Sequence, residues 1–566
     1  MHCFLTLAPA IAKMFVDLRE IGGNTNIDSE VCIVGGGVAG ITIALELEKQ
    51  GIPTVLIESG GFKSDSATRD LYRGESTGLP YGFADGCRSR FLGGSSNCWG
   101  GWCRPLNALD FERRAWIADS GWPFGKSELQ PYYERSLSIL RLGPNSFDTE
   151  FWIHAIAKAN VQRIPFFTGR VTDGISHFSP PVRFGKLYRQ DLERAKLIKI
   201  YLHANATEIN VDESEAVRFV EVKTLTGVFA RVTARIFVLA TGGIENARLL
   251  LASDRNRSGG VGNQNDLVGR FFMDHPRLYS GQVRFHGAWK RNILYDLRYH
   301  YHNRAVSAYG TCVAAQLALA PKIQAKEELL NARVCFSPVF PGEYSEAAKS
   351  LIRFRQRLQG KDDPSHSLLS DSLTLLLHPV DASSFSLARY LRPRSLIKYF
   401  CFQAIVEPAP DRDSRVSLSS KRDQLGMKRV NVHWRLGSQV KRTFDRTLAI
   451  VAEELESAKI ADVILDPSIE SNGWPDTFET EGTWHHIGTT RMHDSPLSGV
   501  VDRDCLVYGT NNLFIAGSSV FPTAGANFPT ITIVALALRL SDHISRKIKQ
   551  PLALQPVPKS PARFPA

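Results

Sequence analysis

The sequence has no uninterrupted apolar run as long as the roughly 18 to 20 residues that a membrane-spanning helix needs, which argues against an integral membrane protein. It also has no CxxC pair and no CxxCH haem-attachment site. Its nine cysteines are an odd number without the regular spacing of a disulfide framework. Because such cysteine usage is typical of a reducing compartment, we expect a cytoplasmic protein.

No single lysine- or arginine-rich block dominates the chain, although its formal net charge is +11. The basic residues are scattered, so nucleic acid is not predicted as a partner. Two clusters, at residues 353–357 and 389–398, interleave basic and apolar residues and indicate either solvated helix faces or docking to a membrane or partner. The apolar residues 1–12 lack the basic n-region of a secretory signal, so we interpret them as an extension, with a processed signal as the alternative.

The hydrophobic content of 43% and the charged content of 22% allow a large core divided between two or more substructures. Residues 31–34, 236–240 and 513–517 each predict a buried parallel strand that ends in a glycine turn and continues into a helix. Open α/β sheets bind ligands at the carboxyl ends of such strands. We therefore predict an α/β protein whose Rossmann-like cofactor domain is assembled from discontinuous segments. Alternating patterns at residues 278–286 and 415–434 predict a second, α+β domain built on an antiparallel sheet.

The first glycine turn has the dinucleotide-binding pattern Gly35-x-Gly37-x-x-Gly40. In this pattern the first glycine permits a tight turn, the second lets the backbone approach a pyrophosphate, and the third lets the helix pack on the strand. The helix N-terminus then presents N–H groups and a positive dipole to the phosphates. Glu58, at the end of the next strand, is placed to accept hydrogen bonds from an adenosine ribose. An acid at this position disfavours NADP, whereas FAD and NAD both fit.

Three later segments favour FAD by resemblance to a known family. Residues 90–97 (RFLGGSSN) resemble the second flavin motif of the glucose–methanol–choline (GMC) oxidoreductases, and residues 484–492 (WHHIGTTRM) resemble the segment that carries their catalytic histidine. Residues 499–530 are similar to the family's C-terminal signature. Further similar segments are residues 240–246, 268–276 and 411–418. The HxxGTTRM form is most similar to the sugar-oxidising branch, which includes pyranose oxidases and fructose and gluconate dehydrogenases.

This resemblance implies an FAD-binding domain at residues 28–110, 200–290 and 484–548 and a substrate-binding domain at residues 111–199 and 291–483. We expect an N-terminal extension at residues 1–27 and a disordered tail at residues 549–566. The residues expected to bind the cofactor are Gly35, Gly37, Gly40, Glu58, Gly93, Gly94, Ser95, Asn97, Cys98, Ala206, Gly242, Gly517, Ser518, Pro529 and Thr530.

The resemblance also implies the chemistry of the site. His485, the histidine four positions before Thr489, corresponds to the family's base, and Asn527 occupies the position of its second active-site residue. A neutral imidazole can accept the hydroxyl proton while the amide of Asn527 holds the substrate oxygen. The adjacent His486 is the alternative base, although the family's spacing favours His485. No metal site is predicted, because the cysteines at 87, 98 and 103 have no nearby histidine.

Two features concern the flavin itself. The helix that begins at Pro529 and Thr530 would place its positive end near the flavin pyrimidine edge, with an ordinary buried helix as the structural alternative. Some sugar-oxidising relatives bind flavin covalently through a histidine, but this sequence has no histidine between Tyr81 and Asp110. Cys98 stands at the corresponding position, so we predict non-covalent FAD.

The predicted function is the FAD-dependent oxidation of an alcohol group of a sugar, glycoside or polyol, with hydride transfer to flavin N5. The alternatives are a lyase of the same fold that cleaves cyanohydrins, oxidation of an apolar alcohol or sterol, and a flavin-holding partner protein without activity. The predicted partner is a small-molecule alcohol. The electron acceptor stays open between oxygen, a quinone and a separate redox protein.

Overall fold

The computed structural model describes residues 14–550 except 24, 83–87, 297–305, 344, 359–366, 392 and 467–482. Within this part of the chain, no helix is long and apolar enough to cross a membrane. The apolar residues 1–12 and nearly all of the predicted tail, residues 551–566, lie outside the described residues. The seven described cysteines are free thiols.

Nineteen strands are described in chain order. They are β1 (Phe15–Asp17), β2 (Thr25–Val34), β3 (Thr54–Ile57), β4 (Gly74–Ser76), β5 (Trp102–Cys103), β6 (Val171–Phe178), β7 (Ile198–Leu202), β8 (Asn205–Val211), β9 (Val217–Lys223), β10 (Phe229–Leu239), β11 (Arg277–Phe285), β12 (Ser307–Ala308), β13 (Thr311–Leu319), β14 (Ala332–Val339), β15 (Tyr399–Val406), β16 (Arg415–Arg422), β17 (Lys428–His433), β18 (Ala461–Ile464) and β19 (Leu513–Ile515).

The α-helices are fourteen among the described residues. They are α1 (Val38–Lys49), α2 (Ser66–Asp70), α3 (Ala108–Phe111), α4 (Lys126–Ile139), α5 (Thr149–Ile156), α6 (Phe184–Leu187), α7 (Arg189–Arg194), α8 (Gly243–Ala252), α9 (Pro321–Lys326), α10 (Glu346–Leu358), α11 (Leu368–Leu377), α12 (Pro379–Leu391), α13 (Ser438–Ser457) and α14 (Thr530–Lys549).

The first sheet has the order β1-β7-β3-β2-β10-β9-β8, with β19 also paired to β10. Its pairs from β1 to β10 and the β10–β19 pair are parallel, and the β10–β9 and β9–β8 pairs at one edge are antiparallel. The register aligns Val34, Leu239 and Ile515, so the three predicted strand-turn segments end side by side. The turns that follow them therefore meet at one edge of the sheet, where α/β folds bind ligands.

The second sheet has the order β18-β11-β15-β14-β13-β6-β5, with β12 paired to β13, and all of its pairs are antiparallel. The second sheet and α13 enclose one core of apolar side chains. The first sheet contributes to a separate, larger core. The predicted α/β fold class, with a parallel cofactor sheet and an antiparallel second sheet, is confirmed.

Sheet membership differs from the predicted segments at three places, whereas β11 joins the antiparallel sheet as the alternation at residues 278–286 predicts. β1 belongs to the first sheet although it lies in the predicted extension, and β5 belongs to the antiparallel sheet although it lies in a predicted FAD-binding segment. The predicted strands within residues 415–434 form β16 and β17, which join β4 in a separate three-stranded sheet. The reason is that alternation identifies a strand but does not identify the sheet with which it pairs. The division into two domains itself stays a prediction.

A helical excursion, residues 340–398, connects β14 to β15, two strands that pair directly with each other. Its helices α10, α11 and α12 pack on one another. The basic cluster at residues 353–357 is only partly solvated, because Arg353 and Arg357 both form ion pairs with the fully buried Asp371. In the second cluster, Arg394 forms an ion pair with the buried Asp296.

Candidate active site

A cavity of about 460 Å³ lies at the carboxyl ends of β2, β10 and β19. A volume of this size is typical of cofactor and ligand pockets. The predicted site residues that line it are Gly35, Gly37, Glu58, Gly94, Ser95, Cys98, Ala206, Gly242, His485, Gly517, Ser518, Pro529 and Thr530. The structure therefore brings together residues from both ends of the chain, whereas Gly40, Gly93, Asn97 and Asn527 do not line the cavity.

The glycine turn has no room for side chains. Gly35 has a φ of +110°, and a Cβ added there would lie 2.6 Å from the carbonyl oxygen of Ala240. A Cβ on Gly40 would overlap the carbonyl oxygen of Gly35, which explains the need for glycine at a position outside the cavity. Helix α1 begins directly after Gly37, so its first N–H groups have no intrahelical acceptor. This turn fits the pyrophosphate of a dinucleotide.

Glu58 is buried at the end of β3 and lines the cavity. Its carboxylate accepts hydrogen bonds from the backbone N–H groups of Gly36 and Gly60, each at 2.9 Å. Burial raises the pKa of Glu58, and these two hydrogen bonds oppose the shift. The side chain therefore holds the glycine turn in place, and a carboxylate's remaining lone pairs suit ribose hydroxyls.

The loop of residues 93–98 folds back on the glycine turn. Gly93 donates its N–H to the carbonyl of Gly36, and a Cβ on Gly94 would lie 2.8 Å from the Cα of Gly37. Asn97 binds the carbonyls of Leu92 and Gly94 and so stabilises the loop from outside the cavity. The Cys98 thiol lines the cavity and donates a hydrogen bond to the carbonyl of Ser95.

A buried ion cluster, which the sequence patterns did not identify, surrounds Glu245. Its carboxylate lies 3.0 Å from Arg88, 3.3 Å from Arg90 and 3.2 Å from Arg248. Burial by itself would raise the pKa of Glu245, but the three guanidinium groups lower it to about 2. Arg90, Glu245 and Arg248 all line the cavity, and each has a charged partner. Arg90 and Glu245 lie within the similar segments 90–97 and 240–246, where no role had been assigned to them. Arg88 and Arg248 lie just outside these segments.

His485 lies against a second histidine, His275, with their Nδ1 atoms 3.0 Å apart. His275 is buried, and its Nε2 lies 2.7 Å from the carbonyl oxygen of Gly525. The neighbouring Asp274 accepts a 2.8 Å hydrogen bond from the backbone N–H of His485. Residues 274 and 275 therefore hold both the backbone and the ring of His485. Sequence reasoning included this segment in the resemblance but assigned it no role in the site.

The pKa values of these groups are shifted mainly by burial. Burial lowers the pKa of His275 to about 4, and burial with the nearby charges of His275, Arg277 and His486 lowers the pKa of His485 far below its usual range. Burial raises the pKa of Asp274 to about 6, against hydrogen bonds from Thr483, Tyr81 and the N–H of His485. Both histidines are therefore neutral at physiological pH.

Asp274, His275 and His485 have ligand atoms close enough to hold a metal ion. However, one Asp274 oxygen accepts hydrogen bonds from Thr483 and His485, and the other accepts one from Tyr81. The outer nitrogen of His275 is bound to Gly525. We interpret the cluster as a hydrogen-bond network around His485.

His486 also lines the cavity but has different surroundings. Its ring stacks on Phe272 and contacts the edge of Tyr81, and its Nε2 is buried without a hydrogen-bond partner among the described residues. Burial lowers the pKa of His486 to about 3. No second histidine orients its ring, in contrast to His485.

The Asn527 amide does not face the cavity. Its oxygen accepts a hydrogen bond from Arg333 at 3.1 Å, and its nitrogen donates one to the carbonyl of Pro105 at 2.7 Å. These two bonds use one of the two amide N–H donors and one of the two oxygen lone pairs, and Asn527 itself is not among the residues that line the cavity. The role predicted for Asn527 stays a prediction, which this arrangement of the side chain does not support.

The part of the cavity near His485 is lined by aromatic side chains and one arginine. Phe528 contacts both His485 and Trp102, with ring centroids 4.4 and 4.5 Å apart respectively. Trp102 in turn packs on Phe178 of the antiparallel sheet. Arg277, the first residue of β11, lines the same cavity. The second sheet therefore supplies a face of aromatic rings and one cation opposite the cofactor sheet.

Comparison with protein families agrees with this geometry. Residues 410–537 match the family model described as GMC oxidoreductase, and residues 30–257 match the model described as FAD dependent oxidoreductase. The first match contains His485 and the start of α14, and the second contains the glycine turn and Glu58.

Several curated relatives are similar over much of their length. The chain is 26% identical to 6'''-hydroxyparomomycin C oxidase of Streptomyces lividus, covering 91% of each chain. It is 25% identical to C-glycoside 3-oxidase of Microbacterium trichothecenolyticum, covering 82% of this chain and 76% of the relative. The fructose dehydrogenase large subunit of Gluconobacter japonicus is 24% identical over 56% of this chain and 49% of its own length.

Solved structures share the fold. A formate oxidase superposes with a TM-score of 0.52 at 16% identity and covers 92% of this chain and 99% of its own. A fungal aryl-alcohol oxidase superposes with a TM-score of 0.53 at 15% identity over 92% and 100% of the two chains. At this level of identity the likeness concerns the fold alone.

Proposed function

Since this chain belongs to the GMC oxidoreductases and is an FAD-dependent enzyme that acts on CH–OH donors, we propose that it oxidises a hydroxyl group of a sugar, glycoside or polyol with His485 as the base. The printed names of several relatives, among them a C-glycoside 3-oxidase and a fructose dehydrogenase, support a carbohydrate substrate. The observation that carries the role of His485 is its pairing with His275.

The carbonyl of Gly525 determines the tautomer of both histidines. A carbonyl oxygen can only accept, so His275 must carry its proton on Nε2, and in the neutral ring its Nδ1 is then a bare acceptor. The 3.0 Å contact with His485 therefore requires a proton on Nδ1 of His485. His485 in its neutral form is left with a bare Nε2, the atom that can accept a proton.

The bound FAD supplies the acceptor for the hydride that leaves the substrate carbon. His485 Nε2 takes the hydroxyl proton, so the O–H electron pair forms the new C=O bond as the C–H bond breaks. His485 then carries a positive charge, and its Nδ1–H still donates to His275, so protonation requires no rearrangement of the pair. The positive charge is unfavourable in this buried place, which helps His485 to release the proton after the reaction.

The substrate class is tested by anaerobic mixing of the holoenzyme with neutral sugars, polyols, acidic sugars, long-chain alcohols and a cyanohydrin. We expect a sugar or polyol to abolish the visible absorption band of the flavin, because two electrons pass to it in each oxidation. Cleavage of a cyanohydrin with the flavin still oxidised would indicate a lyase instead. Bleaching by long-chain alcohols alone would contradict a carbohydrate substrate.

We propose that FAD is bound without a covalent bond, because Cys98 stands where some relatives have a flavin-linked histidine and its thiol is bound to the carbonyl of Ser95. Acid precipitation of the holoenzyme is expected to leave a colourless pellet and a yellow supernatant. Yellow colour that stays with the pellet in the native enzyme and disappears in Cys98→Ala would reveal a cysteinyl bond and contradict the proposal.

A further inference from the structure

Among the described residues, five charged side chains line the cavity, and four of them have charged or hydrogen-bonding partners. Glu58 accepts hydrogen bonds from two backbone N–H groups. The other three belong to the buried ion cluster, in which Glu245 pairs with Arg90 and Arg248. Arg277 is the fifth. Among the described residues, its side chain makes no ion pair and no hydrogen bond, and its Nε is buried without a partner. Such a group is costly unless a ligand satisfies it.

The position of Arg277 places its charge at the reacting end of the cavity. It follows His275 by two residues, and its charge lowers the pKa of His485. It pairs in register with Ile405, which packs in one cluster with Trp102 and Phe178. Arg277 therefore lines the same cavity as the base, on a strand paired with one that packs in the cluster of Trp102 and Phe178.

We propose that Arg277 binds an oxyanion of the substrate, which makes the preferred substrate a sugar acid that carries a carboxylate. The proposal rests on the proposed oxidation of a carbohydrate and names its class more closely. The guanidinium offers two parallel N–H donors that match a carboxylate, and the aromatic rings offer a surface for the C–H face of a sugar ring. One cation balances a carboxylate of charge −1 better than a phosphate ester of charge close to −2.

The test compares neutral and anionic carbohydrates, with glucose and glucuronate as the most closely matched pair. The holoenzyme is given glucose, methyl glucoside, glucuronate, gluconate and glucose 6-phosphate, and the rate of flavin bleaching is measured. We expect glucuronate and gluconate to have a higher kcat/KM than the neutral sugars. The kcat/KM of glucose 6-phosphate should lie between these two groups. In Arg277→Gln, kcat/KM for the carboxylates should fall by about 30- to 1,000-fold, through KM, and that for neutral sugars by less than about threefold.

Two further variants sharpen the result. Arg277→Lys keeps the charge without the planar fork and should recover part of the loss. Arg412→Gln removes one exposed positive charge outside the cavity and should leave all rates unchanged. Sodium acetate, titrated into the oxidised holoenzyme, should perturb the flavin spectrum with a Kd that rises at least tenfold in Arg277→Gln, a reading that does not depend on turnover.

Three outcomes would overturn the inference. Equal rates for glucose and glucuronate that Arg277→Gln leaves unchanged would show that the arginine binds no substrate anion. Faster bleaching by glucose 6-phosphate than by glucuronate would assign the site to phosphate. An equal loss for all substrates with a lowered flavin potential would assign Arg277 to the cofactor. Failure of every sugar to bleach the native enzyme would instead contradict the proposed function, so the two failures are distinguishable.

Discussion

Replacing His485 by alanine is expected to lower kcat for alcohol oxidation by about 10²- to 10⁴-fold, the usual contribution of a positioned general base. The reason is that the bare Nε2 of His485 is the proton acceptor in the proposed reaction, and alanine leaves none in its place. FAD content should stay at the level of the native enzyme, because the glycine turn and Glu58 hold the other end of the cofactor. Stopped-flow measurement of flavin reduction reads the chemical step directly.

His486→Ala is the matched control for this variant, since it removes an adjacent histidine of the same cavity. His486 has no partner that sets its tautomer among the described residues, so we expect its loss to cost less than tenfold in flavin reduction. The reverse order of the two effects would assign the base to His486. Near-native reduction in His485→Ala would exclude His485 from that role.

Replacing His275 by alanine is expected to slow flavin reduction by about 10- to 100-fold, the usual effect of losing a residue that orients a reacting imidazole. Without the acceptor at His275 Nδ1, His485 can rotate and can carry its proton on either nitrogen. His275→Gln should recover much of the rate, because its amide can accept from His485 and donate to Gly525. Equal rates in the Ala and Gln variants would indicate that His275 only fills space.

The pH dependence of kcat/KM distinguishes a loss of His485 orientation in His275→Ala from a general loss of structure. In the native enzyme the pKa of His485 is far below 6.5, so the base form is present throughout the neutral range and kcat/KM should not fall as the pH is lowered from 8 to 6. In His275→Ala, water can reach the ring, desolvation decreases and the pKa rises. An acid limb should then appear near the ordinary value of about 6.5. An unchanged profile in this variant would contradict the positioning role.

Much of the cofactor site could be predicted because it is built from local sequence. A buried strand, a glycine turn and a helix follow one another within the 25 residues from 25 to 49, and steric overlap alone excludes any side chain at Gly35 and Gly40. The same holds for the loop of residues 93–98 and for the start of α14. The resemblance of these segments to the family's motifs therefore favoured FAD before any contact between them was known.

The substrate side was less predictable, because its residues have no spacing that reports their proximity. Asn527 had the right position in the motif, yet its amide bonds Arg333 and Pro105 rather than facing the cavity. The alternation at residues 278–286 correctly predicted a strand of the antiparallel sheet, which β11 forms with β15 and β18. No pattern indicated that Arg277, at the start of this strand, would line the cofactor cavity.

The sequence by itself determined that the chain binds FAD on a discontinuous parallel sheet and that His485 is the candidate base. Both conclusions depend on short segments of consecutive residues, the glycine turn for its steric requirements and residues 484–492 for their resemblance to a family motif. Only the tertiary structure decided that His275 lies against that histidine and that Arg277, which has no partner among the described residues, lines the same cavity. The two histidines are 210 positions apart, and they meet because the segments that carry them pair through the backbones of Met273 and Ile487. Contacts of this kind depend on pairing between segments that are far apart in the chain, and no local pattern specifies that.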